Sequence, residues 1–346
     1  MNIAVLFGGI STERNVSLVG GKAVIEALRR KGHNVIPIDP AFGNDKERKS
    51  EALLTTDLNE NISNFNTIEE LSIFNPRSYI ECVSSNLFDN IDCAFIVLHG
   101  KYGEDGTIQS LLDLRGIKYT GSNSKSSAIA MDKSISKSIF TANRLLTPHW
   151  ELLSPSDADD EEVLKYIIKS FGKKIVVKPA DQGSTIGLSI IDDGYIDTFA
   201  EAIKYAGNYS NNILIEKYIA GRELTIAILD GEALPVIEII PEDGFYDYDH
   251  KYRKNKTNFI CPDNIPADIV DFTQSVATAA YNSLDCSCFG RVDFILDDEG
   301  QPYLLEVNTI PGFSTSSLFP KAALEIGLDF DNLCEKLVNI TLGNNL

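Results

Sequence analysis

The chain is poor in positive charge. It carries 31 Lys and Arg against 50 Asp and Glu, a formal net charge of −19 over 346 residues. That argues against nucleic acid as a partner, because phosphate contacts need a basic face. An anionic nucleotide, if one binds, must be met by cations gathered locally against an acidic background. No apolar run is long enough to span a membrane, and a 43% hydrophobic content suits a soluble globular protein. The start lacks a basic n-region and runs from Ile3 straight into Gly8-Gly9, which reads as a buried strand and not a signal peptide. Cys82, Cys93, Cys261, Cys286, Cys288 and Cys334 form no CxxC pair; reduced thiols in the cytoplasm are expected. Also missing are a GK[ST] P-loop, the dinucleotide fingerprint, metal-protease histidine spacing and a Gly-x-Ser-x-Gly elbow.

What is present is alternation. Residues 3–7 read as a strand, followed by Gly8-Gly9-Ile10-Ser11-Thr12-Glu13 and a helical pattern through Val16, Leu18, Val24 and Leu28. Asn34–Ile38 reads as a second strand, and Cys93–Leu98 as a buried strand ending in the loop His99–Gly106, before a helix from Thr107 to Leu114. Strand–helix alternation implies a parallel sheet with right-handed crossovers, whose ligands collect at the carboxyl ends of the strands. Glu13 and the His99–Gly106 loop fall there. Residues 43–90 are polar and read as a connection with short elements. From Gly121 the texture changes: a Ser/Lys-rich helix from Ser124 to Ile139, a strand Lys174–Lys178, a glycine loop Asp181–Gly187, and then further strands of antiparallel character. The length suggests two or three domains.

The segment Gly290–Leu296, the polar turn Asp297–Gly300 and the segment Tyr303–Ile310 read as a hairpin. Alternation places Arg291 and Asp293 on one face with Glu306 and Asn308, and Val292, Phe294, Leu296, Tyr303, Leu305 and Val307 on the other. Two carboxylates and an amide oxygen on neighbouring strands can converge on a hard cation such as Mg²⁺; the alternative is a solvated polar face. Gly183–Gly187 can turn backbone N–H groups toward a phosphate, or be a plain hairpin turn. Lys178 stands on an apolar strand, where an ammonium needs water or an anion. Lys133 is a second candidate cation. Glu216 and Lys217 close another apolar strand, able to meet a ribose or an adenine, or else a solvated strand edge. The aromatic, charged run Phe245–Tyr252 reads as a water-excluding lid or a surface loop. Pro311–Leu318 offers donors for an oxyanion or carboxylate, or caps the next helix.

Taken in order, these motifs resemble one family. Gly8–Leu18, His99-Gly100-Lys101-Tyr102-Gly103-Glu104-Asp105-Gly106, Met131-Asp132-Lys133, Val177-Lys178-Pro179, Gln182-Gly183-Ser184, Glu216-Lys217, Tyr246-Asp247-Tyr248, Lys251-Tyr252, Gly290-Arg291-Val292-Asp293 and Glu306-Val307-Asn308-Thr309-Ile310-Pro311-Gly312 look like the D-alanine–D-alanine ligase family of the ATP-grasp superfamily. The likeness runs from residue 3 to about residue 327. It implies an N-terminal parallel-sheet α/β domain (1–121) and a two-lobed ATP-grasp fold (122–217 and 218–346). It implies ATP as co-substrate, held by Lys133, Lys178, Glu216, Lys217, Tyr218, Ile219, Glu223, Phe245 and Lys251. Two Mg²⁺ (Mn²⁺ as a substitute) would sit on Asp293, Glu306 and Asn308. Glu13 would take the ammonium of the first D-alanine, Ser317 and Leu318 would bind the carboxylate of the second, and His99 would belong to the substrate site. Ser184 and Tyr252 would link to Glu13 and close the lid, while Arg291 and the Gly312 N–H would stabilise an oxyanion. The tyrosine at 252, absent from relatives that make D-alanyl-D-lactate, favours an amine acceptor. The resemblance also implies a cytoplasmic homodimer. Two other readings stand beside it: a carboxylate–amine ligase of the same superfamily with a different acceptor, and a nucleotide-binding regulatory module without catalysis.

Overall fold

The computed structural model describes residues 1–45, 47–55, 66–241 and 257–344. Three sheets organise them. The first is parallel, ordered β2-β1-β3, with β1 Asn2–Leu6, β2 Asn34–Ile38 and β3 Cys93–Ile96. β1 lies in the middle and is buried along Ile3–Leu6, as a strand covered on both faces requires. The helix Arg14–Arg30 packs Val24, Ile25 and Leu28 onto one face; Tyr79, Cys82 and Phe88 cover the other.

The second sheet is antiparallel, ordered β4-β7-β5-β6: β4 Trp150–Leu153, β5 Ile175–Pro179, β6 Ser189–Ile191 and β7 Ile213–Lys217. The helices Glu161–Phe171 and Ile196–Gly207 back it through Ile167, Phe171, Phe199 and Ile203. The third sheet runs β11-β10-β8-β12-β13, with β9 on β8: β8 Arg222–Leu229, β9 Glu232–Ala233, β10 Ile237–Pro241, β11 Thr257–Ile260, β12 Phe289–Leu296 and β13 Pro302–Asn308. The helix Ala267–Ser283 covers one face of it. On the other, Ala227, Leu229 and Phe289 join Phe313, Phe319 and the helix Phe330–Leu342 in one core with the first sheet. This shared core fixes the N-terminal sheet against the third.

Two sequence expectations change here. The stretch from Ser124 to Ile139 is two helices, Ser124–Met131 and Lys133–Ala142. Asp132 sits between them with extended backbone, and its Oδ1 accepts from the Ser134 and Ile135 N–H groups at 2.9 and 3.2 Å. An aspartate at that position caps a new helix better than it continues an old one, and the break directs Lys133 inward. The hairpin's faces also differ from strict alternation. Asp293 pairs with Glu306, but Phe294 pairs with Leu304, so Leu305 is an extra residue in β13. The bulge sends Leu304 into the core and turns Leu305 and Tyr303 away from it.

Candidate active site

A cavity of about 370 Å³ opens between the second and third sheets, within the range of small-molecule sites. Val176, Ile190, Tyr218, Ile219, Ile239 and Leu305 give it apolar walls. Lys133, Lys178, Glu216, Glu223, Asp293 and Glu306 supply the charge. Leu305 reaches this wall only because of the bulge.

The polar face of the hairpin is assembled as alternation predicts. Arg291 lies across from Asn308, and Asp293 across from Glu306. Asp293 is heavily engaged: Arg291 donates Nε to its Oδ1 at 2.9 Å and Nη2 to its Oδ2 at 2.7 Å. Thr225 adds its hydroxyl at 2.6 Å, and Asn308 its amide at 3.1 Å. Lys133 Nζ lies 2.9 Å from Glu306 Oε2 and donates to the Gln182 carbonyl at 2.7 Å. Burial works against the Lys133 charge, but Glu306 outweighs it and raises the ammonium's pKa. Two carboxylates and an amide, all hard oxygen donors with cations already beside them, are the donor set a divalent cation shared with phosphates uses. The solvated-face reading fails, since Asp293 is 8% exposed.

Lys178 finds its anion in Glu216, Nζ to Oε2 at 2.5 Å. Glu216 is 2% exposed; β7 lies inside its sheet between β4 and β5, so the strand-edge reading of Glu216 also fails. Its other oxygen, Oε1, lies 2.5 Å from Nζ of Lys137. Burial opposes ionisation of Glu216, yet the two ammonium groups prevail and hold its carboxyl down at about 2. Lys137 itself is pushed to about 8, first by burial. Lys137 escaped the sequence reading, although a signal was there: four residues beyond Lys133, it must share that residue's helix face. Thr225 was missed too, and no spacing marks it; Glu104 stands in the His99–Gly106 motif but carried no assigned role.

The glycine loop between β5 and β6 leans over the first sheet's ligand edge. Ser184 donates its hydroxyl to Glu13 Oε1, joining residues 171 apart in sequence. The left-handed backbone falls on Ser184 (φ +50°), Thr185 (φ +59°) and Gly187 (φ +72°), and not on Gly183. Gly183 is needed for space, because a Cβ there would stand 3.1 Å from Glu13 Oε2. Two non-glycine residues in a sparsely populated region are a strain often found at ligand clamps. Glu13 is buried at the start of the helix Arg14–Arg30. Its loop is pinned by Arg14, which donates Nη1 to the Gly9 carbonyl at 2.6 Å and pairs with buried Asp39 at 2.5 Å.

His99 is buried nearby; burial lowers its pKa, and its Nε2 has no hydrogen-bond partner among the described residues. Glu104 accepts from the Gly100 N–H at 2.7 Å. Burial and then the Glu13 charge push its carboxyl up to about 8. Ser317 precedes the helix Leu318–Glu325 but does not cap it with its side chain. Its Oγ instead accepts from the Ser314 N–H at 3.0 Å, beside Gly312, whose Cβ would lie 3.3 Å away. Phe245, Lys251 and Tyr252, with the whole expected lid, lie outside the described residues. All six cysteines are free, and no helix among the described residues is long and apolar enough to cross a membrane.

A parallel sheet feeding a carboxylate toward a cavity clasped between two antiparallel sheets defines an α/β protein of ATP-grasp fold. Comparison with known proteins narrows the class. The family models described as "D-ala D-ala ligase N-terminus" and "D-ala D-ala ligase C-terminus" match residues 2–122 and 139–339. A D-alanine–D-alanine ligase from Magnetococcus marinus is 39% identical over 339 residues, 97% of this chain and 96% of the relative. The crystal structure of the Bacillus anthracis D-alanine–D-alanine ligase complexed with ATP superposes with a TM-score of 0.75 at 31% identity, covering 99% of this chain and 98% of that one. VanG D-Ala:D-Ser ligase from Enterococcus faecalis gives a TM-score of 0.77 at 29% identity, covering 98% and 99%. The chain belongs to the D-alanine–D-alanine ligase family.

Proposed function

We propose that the chain joins two D-alanines with ATP, for peptidoglycan precursor synthesis in the cytoplasm. The supporting observation is a polar track along the cavity: Lys178, Lys133, Glu306 and Asp293 line it together with Ser184, which donates its hydroxyl to the buried Glu13. It joins a cavity fit for a nucleotide to a buried carboxylate that can hold an ammonium.

The chemistry needs that track. A carboxylate is a poor acyl donor, so the first D-alanine must take the γ-phosphoryl group of ATP. The amine of the second then attacks the acyl phosphate, the C–N bond forms, and phosphate leaves. Glu13 fixes the first substrate's ammonium, and Lys133 and Lys178 face the phosphates. Tyr218, Ile219 and Glu223 line the nucleoside end of the cavity, with Lys217 beside them. Asp293, Glu306 and Asn308 would hold two Mg²⁺, which supply charge neutralisation for phosphoryl transfer. Arg291 and the Gly312 N–H stabilise the tetrahedral oxyanion. Ser317 and Leu318 take the second carboxylate, and His99 borders the first substrate. Phe245, Lys251 and Tyr252, outside the described residues, are assigned the task of keeping water from the acyl phosphate. We divide the chain at 121 and 217 and assign it as a homodimer, a state that sedimentation equilibrium checks.

The VanG match gives a second reading, with D-serine as acceptor. Phosphate release with ATP and Mg²⁺ across a panel of D- and L-amino acids separates the two. D-Alanine alone is expected to support full release, with the dipeptide seen by mass spectrometry. Release that requires a different amino acid would overturn the assignment.

A further inference from the structure

Lys137 belongs to the site without facing it. It is 0% exposed and does not line the cavity, yet its Nζ lies 2.5 Å from Glu216 Oε1 and 2.5 Å from Thr147 Oγ1. Thr147 in turn donates to the Leu304 carbonyl of β13 at 2.8 Å. Glu216 therefore sits between two ammonium groups of different character. Lys178 reaches it from the cavity. Lys137 reaches it from the helix Lys133–Ala142, anchored through Thr147 to the third sheet. Burying a carboxylate between two lysines costs desolvation on all three groups, so the second lysine calls for a reason.

We propose that Lys137 is a positioning residue that keeps Glu216 neutralised when ATP draws Lys178 onto its phosphates. The inference rests on the proposed binding of ATP in this cavity. Without nucleotide, Lys178 and Lys137 share the carboxylate. A phosphate group entering beside Lys178 competes for its ammonium and leaves Glu216, almost fully buried, with Lys137 alone. A chain lacking Lys137 would have to strip a buried carboxylate of its last counterion in order to bind ATP. That cost falls on nucleotide binding and spares the nucleotide-free fold, where Lys178 still pairs with Glu216. The D-alanine pocket, built on other elements, is spared as well.

The test is equilibrium binding of a non-hydrolysable ATP analogue with Mg²⁺ to the full chain, in the parent, K137M, E216Q and the K137M/E216Q double variant. K137M is expected to weaken the analogue about tenfold or more, since a counterion is lost. Its melting temperature without nucleotide should stay near the parent's, and KM should rise for ATP but not for D-alanine. In the E216Q background no carboxylate needs a counterion, so adding K137M should change affinity by less than about twofold. Equal losses in the two backgrounds, or K137M binding as the parent does, would overturn the inference. Should K137M not fold, the comparison of E216Q with the double variant decides alone: a loss of about tenfold there refutes the role. A parent that binds no analogue would instead sink the ATP reading itself.

Discussion

Arg291 and Lys133 show how single residues in this acidic chain do what its composition withholds. Each places a cation against a carboxylate that would otherwise repel a nucleotide: Arg291 against Asp293, Lys133 against Glu306. Removing an anion here should therefore be catalytic in effect. Glu306→Ala is expected to abolish turnover while the chain still melts cooperatively; a variant with near-normal kcat would refute the metal assignment. Glu104 offers a residue-scale pH signal. Burial and Glu13 raise its carboxyl from 4.5 to about 8. Between those values the folded state keeps a proton that the unfolded chain has released. The stability tied to that proton is full below the unfolded value and is lost as pH rises toward 8, at up to about 1.4 kcal/mol per pH unit. Urea unfolding without nucleotide or divalent cation should show this fall between roughly pH 5 and 8, and Glu104→Gln should flatten it. An unchanged slope would mean that Glu104 is ionised throughout.

At the scale of elements, the bulge in β13 and the helix break at Asp132 do most to shape the site. The bulge lets one strand serve two purposes, with Leu304 in the core and Leu305 on the cavity wall. The neighbours should thus respond differently to truncation. Leu304→Ala is expected to cost about 2–5 kcal/mol, as for a filled core position. Leu305→Ala should cost less than about 1 kcal/mol in stability but raise the Kd for ATP. Chemical denaturation and nucleotide titration on the two variants check this, and matching profiles would deny the bulge its role. Strict alternation could not have shown it, because an inserted residue leaves no mark in a run as uniformly apolar as Tyr303-Leu304-Leu305. The break at Asp132 was written in the chain, since aspartate is a strong N-cap. The helical texture on both sides of it concealed the signal.

Across the whole molecule, the cavity draws its walls from two sheets, β5 and β7 of the second and β8, β10, β12 and β13 of the third. A ligand bound to both walls stabilises their union. Mg²⁺ and ATP at about 100 times Kd should add about 2.7 kcal/mol to unfolding, seen as a rise in melting temperature that Lys178→Ala diminishes. No shift in the parent would argue that the cavity does not bind ATP. The sequence by itself determined the alternating N-terminal sheet, the carboxylate–amide hairpin, the lysines of the cavity and the family, because periodicity and motif spacing are local properties of the chain. It could not decide whether the hairpin's polar face is solvated or buried, or whether Glu216 is a strand edge or a buried anion. Those are questions of burial and partners, and they were settled by contacts between residues far apart: Ser184 on Glu13, Lys133 on Glu306, and Lys178 and Lys137 on either side of Glu216. A charge next to a distant opposite charge has no signature in the run of residues around it, so only the tertiary structure could make that assignment.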